Sequence, residues 1–336
     1  MRLLVLGGSW FVGSAVVGEA RARGHDVTLF NRGLSNARPL RDVRHVSGDW
    51  EQEADLRRLA AAGPWDAVID VAGTIPRLVR RCAEALSPVA GHYVFVSTIS
   101  AYRDWPHKPV DETSTLWDAP AVDDPGRRSW DPDAYGPLKV GCELAAADVF
   151  GTDGLLIVRP HVVLGPREYV GRLPWWLRRV HRGGEILVPA PDRNIQPVDV
   201  RDLATFIVDR AESTSTGIYN VAAPQGREQF SDLIAACAEA TGRAATVVWA
   251  DEEWLIEQGV RQWTEIPLWR ALPTAWSMST SKAEAAGLRC RSIRETAVDT
   301  WAWMQDGGRA VDHERTAEHG ISVERETALL AAWRQR

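Results

Sequence analysis

Residues 1–13 read MRLLVLGGSWFVG, and this stretch decides the fold. The apolar run from Leu3 to Leu6 is typical of a strand buried on both faces of a parallel sheet. A glycine-rich turn follows directly, and apolar side chains at helical spacing then continue to Arg23. Strand, glycine turn and helix form the context in which glycines indicate a dinucleotide-binding site, because the backbone can closely approach a pyrophosphate there. An ordinary tight turn between strand and helix is the alternative.

Composition bounds the class of protein. The chain has 336 residues, 45% of them hydrophobic, and a formal net charge of −6. No apolar run approaches the roughly 18 residues of a membrane span, and Met1 leads straight into the first strand, so we expect neither membrane insertion nor a signal peptide. The four cysteines lie far apart, which favours a reducing cytoplasmic location without a disulfide framework or a metal site. The acidic balance and the lack of a basic stripe make a nucleic-acid partner unlikely.

Short apolar runs alternate with helical patterns over the first half of the chain. This alternation predicts an α/β fold with a doubly wound parallel Rossmann sheet, whose ligands bind at the carboxyl ends of the strands. Beyond residue 165 the alternation becomes irregular, which indicates a smaller C-terminal α+β substrate lobe. We therefore predict an NAD(P)-binding Rossmann domain at 1–165 with 196–222 returning to it, a substrate-binding lobe at 166–195 and 223–320, and a C-terminal helical tail at 321–336.

Residues 135–139 read YGPLK and contain a candidate acid/base. Tyr135 and Lys139 share one face of a helix predicted over 135–150, because they lie four positions apart. Pro137 suits only a first helical turn, which places the start of the helix just before it. An ammonium beside a phenol lowers the pKa of the phenol, so Tyr135 could exchange protons near neutral pH. Two unrelated surface side chains are the alternative.

Thr98 lies in the run VSTISAY at residues 96–102, at the carboxyl end of the fifth predicted strand. Its hydroxyl can donate a hydrogen bond to, or accept one from, the substrate oxygen that Tyr135 protonates. A strand end rich in Ser and Thr that satisfies its own backbone is the alternative.

Together, these motifs carry a family resemblance. The glycine turn, the Ser/Thr run after strand five and the YxxxK spacing follow one another as in the short-chain dehydrogenase/reductase superfamily, which this sequence resembles. Its length and second lobe resemble the extended, NAD-dependent epimerase/dehydratase branch. The stretches GGSWFVG at 7–13 and FNRG at 30–33 are similar to an atypical subgroup with chloroplast stem-loop-binding proteins and bacterial reductase-like proteins.

The resemblance implies roles for the matching positions. Tyr135 becomes the general acid/base, Lys139 lowers its pKa and binds the nicotinamide ribose, and Thr98 orients the substrate oxygen. The positions expected to bind the cofactor are Gly7, Gly8, Ser9, Trp10, Phe11, Val12 and Gly13 in the turn, together with Asn31, Arg32, Asp49, Trp50, Val71, Ala72, Gly73, Lys139, Pro160 and Val162.

The end of the second strand favours one cofactor over the other. NAD enzymes usually place an acidic residue about 20 residues past the glycines, where it accepts a hydrogen bond from the ribose 2′-hydroxyl. This chain has Asn31 and Arg32 there, and a guanidinium binds a 2′-phosphate as a planar fork. NADP(H) is therefore favoured and NAD(H) stays possible, since Arg32 could also be an exposed turn residue.

The sequence departs from the family pattern in four places. Trp10 replaces the middle glycine of the turn, so its side chain must point away from the pyrophosphate. Val162 replaces the asparagine that follows the strand-six Arg-Pro, and Ile195 replaces an arginine that often grips a nucleotide-sugar diphosphate. Residues 98–100 read TIS where sugar dehydratases have Thr-Asp-Glu. These departures argue against nucleotide-sugar chemistry, and against dehydration in particular.

The substrate pocket is less readable from the sequence. Tryptophans in the second lobe offer flat apolar walls, and nearby arginines could meet an anion, although packing in the core is the more common use of Trp. The residues considered are Trp175, Trp176, Trp263, Trp269, Arg167, Arg178 and Arg179.

We therefore expect an NADP(H)-dependent oxidoreductase that interconverts a secondary alcohol and a ketone of a small molecule through Tyr135, Lys139 and Thr98. One alternative is an NAD(P)-dependent epimerase with transient hydride transfer, and another is an RNA-binding protein on the same fold. A cofactor-sensing regulator is disfavoured because both Tyr135 and Lys139 are present. Relatives commonly dimerise through the helices after strands four and five, so a homodimer through 75–86 and 135–150 is possible.

Overall fold

The computed structural model describes residues 1–33, 43–119 and 132–336. Its strands, in chain order, are β1 (Arg2–Leu6), β2 (Asp26–Asn31), β3 (Arg44–Ser47), β4 (Ala67–Asp70), β5 (Tyr93–Val96), β6 (Leu155–Pro160), β7 (Val163–Leu164), β8 (Glu185–Pro189), β9 (Asn194–Ile195), β10 (Val198–Asp199), β11 (Gly217–Val221), β12 (Glu228–Gln229), β13 (Thr246–Ala250), β14 (Gln262–Trp263) and β15 (Ile266–Pro267).

Helices surround these strands, and three short 3₁₀ turns lie at Ile99–Ala101, Pro273–Trp276 and Glu314–Glu318. The α-helices, in chain order, are α1 (Phe11–Ala22), α2 (Glu53–Ala61), α3 (Pro76–Leu86), α4 (Pro132–Phe150), α5 (Arg172–Arg182), α6 (Val200–Glu212), α7 (Phe230–Thr241), α8 (Glu252–Glu257), α9 (Ser281–Ala285), α10 (Ile293–Gln305) and α11 (Val323–Trp333).

The central sheet has seven strands in the order β11-β6-β5-β4-β1-β2-β3, and each neighbouring pair is parallel. The chain starts in the middle at β1, winds to one edge at β3, and then returns past β4 to the other edge. This order confirms the predicted doubly wound Rossmann sheet. The switch point lies between β1 and β4, where a doubly wound sheet opens a ligand crevice at its carboxyl edge.

Two apolar cores cover the two faces of the sheet. One lies under α1 and α6 and includes Leu3, Val17 and Phe206. The other lies under α2, α3 and α4 and includes Leu4 and Phe95. Alternate residues of β1 point into opposite cores, so the continuous apolar run of that strand follows from burial on both faces.

The helix that carries Tyr135 begins earlier than its proline suggests. We expected the start just before Pro137, but α4 begins at Pro132, and Pro137 lies inside the helix. A proline removes only one backbone donor, so the helix loses one hydrogen bond near its start without ending there. Gly136 allows the close approach that follows, because a Cβ at this position would collide with the backbone oxygen of Ser100.

A second lobe packs around its own apolar core. It contains the parallel strand pair β8 and β13, of which residues 246–250 were not recognised as a strand from the sequence. Trp176 and Phe230 meet edge to face in this core, with ring centroids 5.6 Å apart. The helix α11 also joins it through Leu329 and Leu330. No helix among the described residues is both long and apolar enough to cross a membrane.

Candidate functional site

The glycine turn between β1 and α1 leaves no room for larger residues. Gly7 and Gly8 have φ values of +97° and +81°, in the region that favours glycine. A Cβ on Gly8 would lie 2.5 Å from the Leu29 side chain, and one on Gly13 would lie 2.6 Å from the Gly8 Cα and 2.9 Å from a methyl of Val71. The turn is therefore built for close approach of backbone to backbone and to a ligand.

The N-terminus of α1 opens from this turn toward the carboxyl edge of the sheet. Its N-cap is Trp10, which provides no side-chain cap to the first N–H groups. Such N–H groups lack partners within a helix and, with the helix dipole, favour an anion. The glycine cradle and this helix start therefore fit the pyrophosphate of a dinucleotide.

The Trp10 indole lies against the C-terminal part of the chain. Its ring centroid is 5.5 Å from that of Tyr169 and 5.7 Å from that of His313, and the rings of Tyr169 and His313 are 4.9 Å apart. Three segments distant in sequence thus meet beside the glycine turn. The sequence indicated that this side chain must point away from the turn but did not indicate what it contacts.

Asn31 at the end of β2 braces the glycine turn. Its amide Nδ2 donates to the Gly7 carbonyl at 2.7 Å, and its Oδ1 accepts from the Gly33 N–H at 2.9 Å and from His45 Nε2 at 3.1 Å. Arg32 is exposed beside it. The strand end thus presents a cation to solvent, while the amide is used within the protein.

Asp49 and Trp50 lie just after the neighbouring strand β3. Asp49 Oδ1 accepts from the Glu51 N–H at 3.0 Å, and the Asp49 N–H donates to Asp55 at 2.8 Å. Trp50 packs, partly buried, against the core below. Both residues therefore sit at the carboxyl edge of the sheet, where a cofactor's adenine is expected.

The loop after β4 is held by a buried carboxylate that the sequence analysis did not single out. Asp70 accepts from the N–H groups of Ala72 and Gly73, at 3.0 and 2.8 Å, and from the Tyr93 hydroxyl at 2.9 Å. Burial raises the pKa of Asp70, while the Ala72 N–H and the Lys139 charge oppose that rise. The predicted cofactor-binding residues 71–73 therefore follow a fixed backbone path.

Tyr135 and Thr98 meet at the carboxyl end of β5. Their side chains are hydrogen-bonded, and Thr98 Oγ1 also accepts from the Ser100 N–H at 3.2 Å. Burial raises the pKa of Tyr135, and the Thr98 hydrogen bond and the charges of Arg315 and Arg172 oppose that rise. The two predicted catalytic side chains are thus adjacent, at the edge where the glycine turn also opens.

Lys139 makes a different contact from the one that the spacing predicts. Its ammonium donates to the carbonyls of Gly73 and Val96, both at 2.7 Å, and lies 4.2 Å from the centroid of the Phe95 ring. Burial lowers the pKa of Lys139. The expected lowering of the Tyr135 pKa is therefore corrected: the ammonium is directed at backbone oxygens, and burial decides the direction at Tyr135.

Below this pair lies a buried ion pair that joins α4 to β6. Arg159 donates to both carboxylate oxygens of Glu143, at 2.9 and 2.5 Å, and Ser97 donates to the same carboxylate. The Arg159 guanidinium also lies over the Tyr102 ring, 4.9 Å from its centroid. Two signals could have revealed this pair: Glu143 follows Lys139 by four positions, and Arg159 is the charged residue in the strand LLIVRP.

The segment Pro160 to Val162 ends β6 beside the same edge. Between the two predicted cofactor residues lies His161, which the sequence analysis passed over. Its Nε2 donates to the Ala275 carbonyl at 2.8 Å, and its Nδ1 accepts from the Val162 N–H at 2.8 Å. Its ring stacks on Trp276 with centroids 4.8 Å apart. These partners suit only the neutral imidazole, and burial lowers its pKa to about 4.

The tryptophans and arginines considered for the pocket have different surroundings. Trp176 and Trp269 are fully buried in the second lobe, and Arg179 pairs with the buried Glu326 at 2.8 Å. Trp175, Arg178 and Arg179 line a surface hollow, together with Arg182 and Ile321. Trp263 lies against the guanidinium groups of Arg172 and Arg270. Within the described ranges, no cluster of three or more His, Cys, Asp or Glu side chains could hold a metal ion.

The chain is similar to one protein-family model and to two curated proteins described here. Residues 3–87 match the model of the NAD dependent epimerase/dehydratase family. The chloroplast stem-loop binding protein of 41 kDa b from Arabidopsis thaliana is 28% identical over 72% of this chain, and the match spans only 63% of the plant protein's length. The epimerase family protein SDR39U1 from Bos taurus is 29% identical over 74% of this chain and 83% of its own length.

Among solved structures, the Bordetella bronchiseptica enzyme WbmH in complex with NAD⁺ shares the fold. Its TM-score is 0.68 at 18% identity, over 92% of this chain and 99% of that one. These findings, with the seven-stranded parallel sheet, confirm the resemblance that the three motifs predicted, to the NAD-dependent epimerase/dehydratase family of extended short-chain dehydrogenase/reductase enzymes.

Proposed function

We propose that this protein is an NADP(H)-dependent oxidoreductase that interconverts a secondary alcohol and a ketone of a small molecule. The observation that carries the proposal is the hydrogen-bonded pair Tyr135 and Thr98, at the carboxyl edge onto which the glycine turn also opens. A proton-transfer group and a cofactor cradle at one edge of a doubly wound sheet are the two requirements of this reaction.

The bound nicotinamide would supply or accept the hydride. The residues of this chain hold and position the reactants. The turn at 7–13 and the start of α1 bind the pyrophosphate, while Asp70 fixes the path of the loop at 71–73. Lys139 ties α4 to the ends of β4 and β5 and thereby fixes the position of Tyr135.

Tyr135 moves the proton at the substrate oxygen. Its raised pKa keeps the phenol protonated at neutral pH, which is the form that donates a proton during ketone reduction. In the opposite direction the phenolate is needed, and the positive charges of Arg315 and Arg172 favour that form. Thr98 holds the phenol hydroxyl in place and offers a second hydrogen bond to the same oxygen.

The preference for NADP(H) rests on the end of β2. A carboxylate there would repel a 2′-phosphate, and this strand end has Asn31, whose amide braces the glycine turn, followed by the exposed Arg32. His45 lies next to Asn31 and donates to its Oδ1 at 3.1 Å, which holds the amide in this orientation.

The test is a titration of the full chain with NADPH and, separately, with NADH, followed by tryptophan fluorescence. We expect tighter binding of NADPH and a reversed preference in Arg32→Asp. Arg243→Asp, an equal charge change at an exposed site on the second lobe, should leave the preference unchanged. Tighter binding of NADH by the unaltered protein would refute the NADP(H) assignment, and binding of neither would refute the enzyme.

An epimerase is the second candidate, and the match of residues 3–87 to the epimerase/dehydratase family favours it. The bound nicotinamide would then accept a hydride from the substrate and return it to the same substrate, with no net redox change. Nucleotide that stays bound through purification, together with isomerised product and no accumulated NADPH, would distinguish the epimerase from the reductase.

RNA binding is the third candidate, because a relative is named as a stem-loop binding protein. The net charge of −6 counts against it, since nucleic-acid affinity depends on neutralising phosphates with Lys and Arg. A gel shift with a stem-loop RNA that weakens steeply as salt rises would favour this candidate over the enzyme.

A further inference from the structure

Two arginines from different elements share one aromatic ring near Tyr135. Arg172 begins α5, and Arg270 follows the short β14–β15 pair by three residues. Their guanidinium carbons lie 5.1 Å and 4.4 Å from the centroid of the Trp263 ring. Arg172 is close enough to Tyr135 for its charge to lower the pKa of the phenol. The arginine pair therefore belongs to the same site as the proposed proton-transfer group.

Within the described part of the chain, one carboxylate pairs with these two arginines, and it pairs with Arg172. Arg172 lies 3.5 Å from Glu168, whose two oxygens also accept the N–H groups of Arg172 and Leu173 at 3.0 and 3.1 Å. Arg270 has no ion pair with any residue that the structure describes. The Nε atoms of Arg172 and Arg270 are both buried without a hydrogen-bond partner, and Arg172 as a whole is only 9% exposed.

Burial makes this imbalance costly. It lowers the pKa of Arg172, and it lowers the pKa of Arg270 to about 10, with the charge of Arg172 as a further cause. Nearby His161 is neutral and adds no negative charge. Arg315 lies near Arg172 and adds to the positive field. Arg270 is partly buried. A partly buried cation without a counter-ion among the described residues is a cost to the fold, and binding of an anionic ligand would offset that cost.

The neighbouring rings position the Arg270 guanidinium. Besides Trp263, it lies over Trp105, 5.1 Å from the ring centroid, and Trp105 is itself anchored by donation from its Nε1 to the Ala275 carbonyl at 2.9 Å. Rings that contact a guanidinium through its faces leave its N–H donors, which lie in the plane, to bind an oxyanion as a fork.

The loop that presents Trp263 is strained in a way that packing alone does not require. Trp263 and Leu268 both have φ of +70°, where bulky side chains are rarely found. The loop is held in this shape by the Trp263 N–H, which donates to the Trp269 carbonyl at 3.0 Å, and by the Ala271 N–H, which donates to Gln262 at 2.8 Å. Strain of this kind is concentrated at ligand sites.

We propose that Arg172 and Arg270 bind an oxyanion of the substrate, a carboxylate or a phosphate, while Tyr135 and Thr98 act on its alcohol or ketone oxygen. The proposal deepens the proposed function and rests on it for the reacting group. It names the substrate class as small anionic hydroxy or oxo compounds whose apolar body lies against Trp105 and Trp263.

The experiment is calorimetric titration of the full chain with benzoate, phenyl phosphate and neutral benzamide at constant ionic strength. We expect binding of at least one of the two anions and none of benzamide. Benzoate and phenyl phosphate distinguish the two oxyanions. Equal binding of benzamide, or no binding of either anion, would overturn the proposal.

Variants locate the binding. Arg270→Gln should weaken anion binding about 10-fold or more, the usual range for a charged hydrogen-bonding group, and Arg270→Lys should retain part of it. Arg243→Gln, at an exposed position of the second lobe, is the control and should bind the anion as the unaltered protein does. Unchanged anion binding in Arg270→Gln would overturn the proposal.

Two further measurements distinguish this proposal from a structural role of Arg270 and from the proposed reductase function. Arg270→Gln should unfold at the same or a higher urea concentration than the unaltered protein, whereas a structural arginine would be destabilised by the change. NADPH titration of Arg270→Gln should match the unaltered protein. If the unaltered protein binds an anion but does not bind NADPH, the proposed reductase is refuted and the proposed anion site is retained.

Discussion

Arg159 and Arg270 have opposite surroundings. Arg159 is 1% exposed and donates to both oxygens of Glu143. Burial opposes its charge, but the hydrogen bonds to Glu143 prevail and raise the pKa of Arg159. Arg270 is partly buried over two tryptophan rings and has no carboxylate partner among the residues that the structure describes, and its pKa is lowered.

This difference distinguishes Arg159, whose charge is neutralised within the fold, from Arg270, whose charge is proposed to bind a ligand. Both guanidiniums contact aromatic rings, so the rings do not distinguish them. What distinguishes them is the counter-ion. Where the chain supplies it, the arginine links α4 to β6. At Arg270 none of the described residues supplies it, and this is the observation from which we infer a negative charge on the substrate.

The largest expected effect comes from removing the counter-ion on the Arg159 side. Glu143→Gln leaves Arg159 a buried cation without its carboxylate partner and should reduce the free energy of unfolding by about 3–5 kcal/mol. Urea denaturation measures the change. Asp148→Asn on the same helix removes an exposed partner of Arg80 and should cost no more than about 1 kcal/mol. Equal losses of unfolding free energy in the two variants would show that the buried pair with Glu143 stabilises the fold no more than the exposed pair with Asp148.

A smaller effect is expected at His161, which faces the positive charges of Arg270 and Arg172. Its pKa falls from the ordinary 6.5 to about 4, so between these values the unfolded chain binds a proton that the folded chain does not. Stability should therefore fall as the pH drops from about 6.5 to 4, by up to about 3 kcal/mol from this group.

The measurement is urea denaturation of the unaltered protein and of His161→Gln across that pH range. Carboxylates also titrate there, so the difference between the two profiles isolates the histidine. The unaltered protein should lose more stability on acidification than His161→Gln. Parallel profiles would show that His161 is not held neutral by its surroundings.

The smallest expected effect is at Trp10, which connects the glycine turn to the segment that carries Arg315. Trp10→Ala removes the ring contacts to Tyr169 and His313 and should cost about 1 kcal/mol of unfolding free energy, the usual scale for aromatic pairs at a partly exposed site. Ile256→Ala, at an exposed position on α8, is the control and should cost less. If the segment with Arg315 adds to the field at Arg172, benzoate binding should weaken in Trp10→Ala and stay unchanged in the control.

Local patterns determined much of what the sequence predicted. Burial on both faces makes a central parallel strand continuously apolar, so β1, β2, β4 and β5 could be recognised without knowledge of their neighbours. A spacing of four residues places Tyr135 and Lys139 on one face of a helix. The meeting of Tyr135 with Thr98 could be expected as well, because a doubly wound sheet brings the ends of its strands to one edge.

These patterns did not predict in which direction a side chain points or which residues it contacts. The sequence does not say that the Lys139 ammonium turns to the carbonyls of Gly73 and Val96, because those oxygens come from two other strands. Nor does it say that α4 continues through Pro137, since one missing hydrogen bond is outweighed by the packing of a long helix. The strand at 246–250 was missed because its pairing with β8 supplies the order that its partly exposed sequence does not show.

The sequence by itself determined the class of fold, the glycine turn after β1 and the helical spacing of Tyr135 and Lys139, since each depends on residues close together in the chain. Only the tertiary structure decided which charges are balanced. Arg172, Trp263 and Arg270 come together through the packing of a strained loop against the start of α5, and Arg159 finds Glu143 across two elements. Coulomb energy depends on distance in space and on burial, and neither is written in the order of residues along the chain.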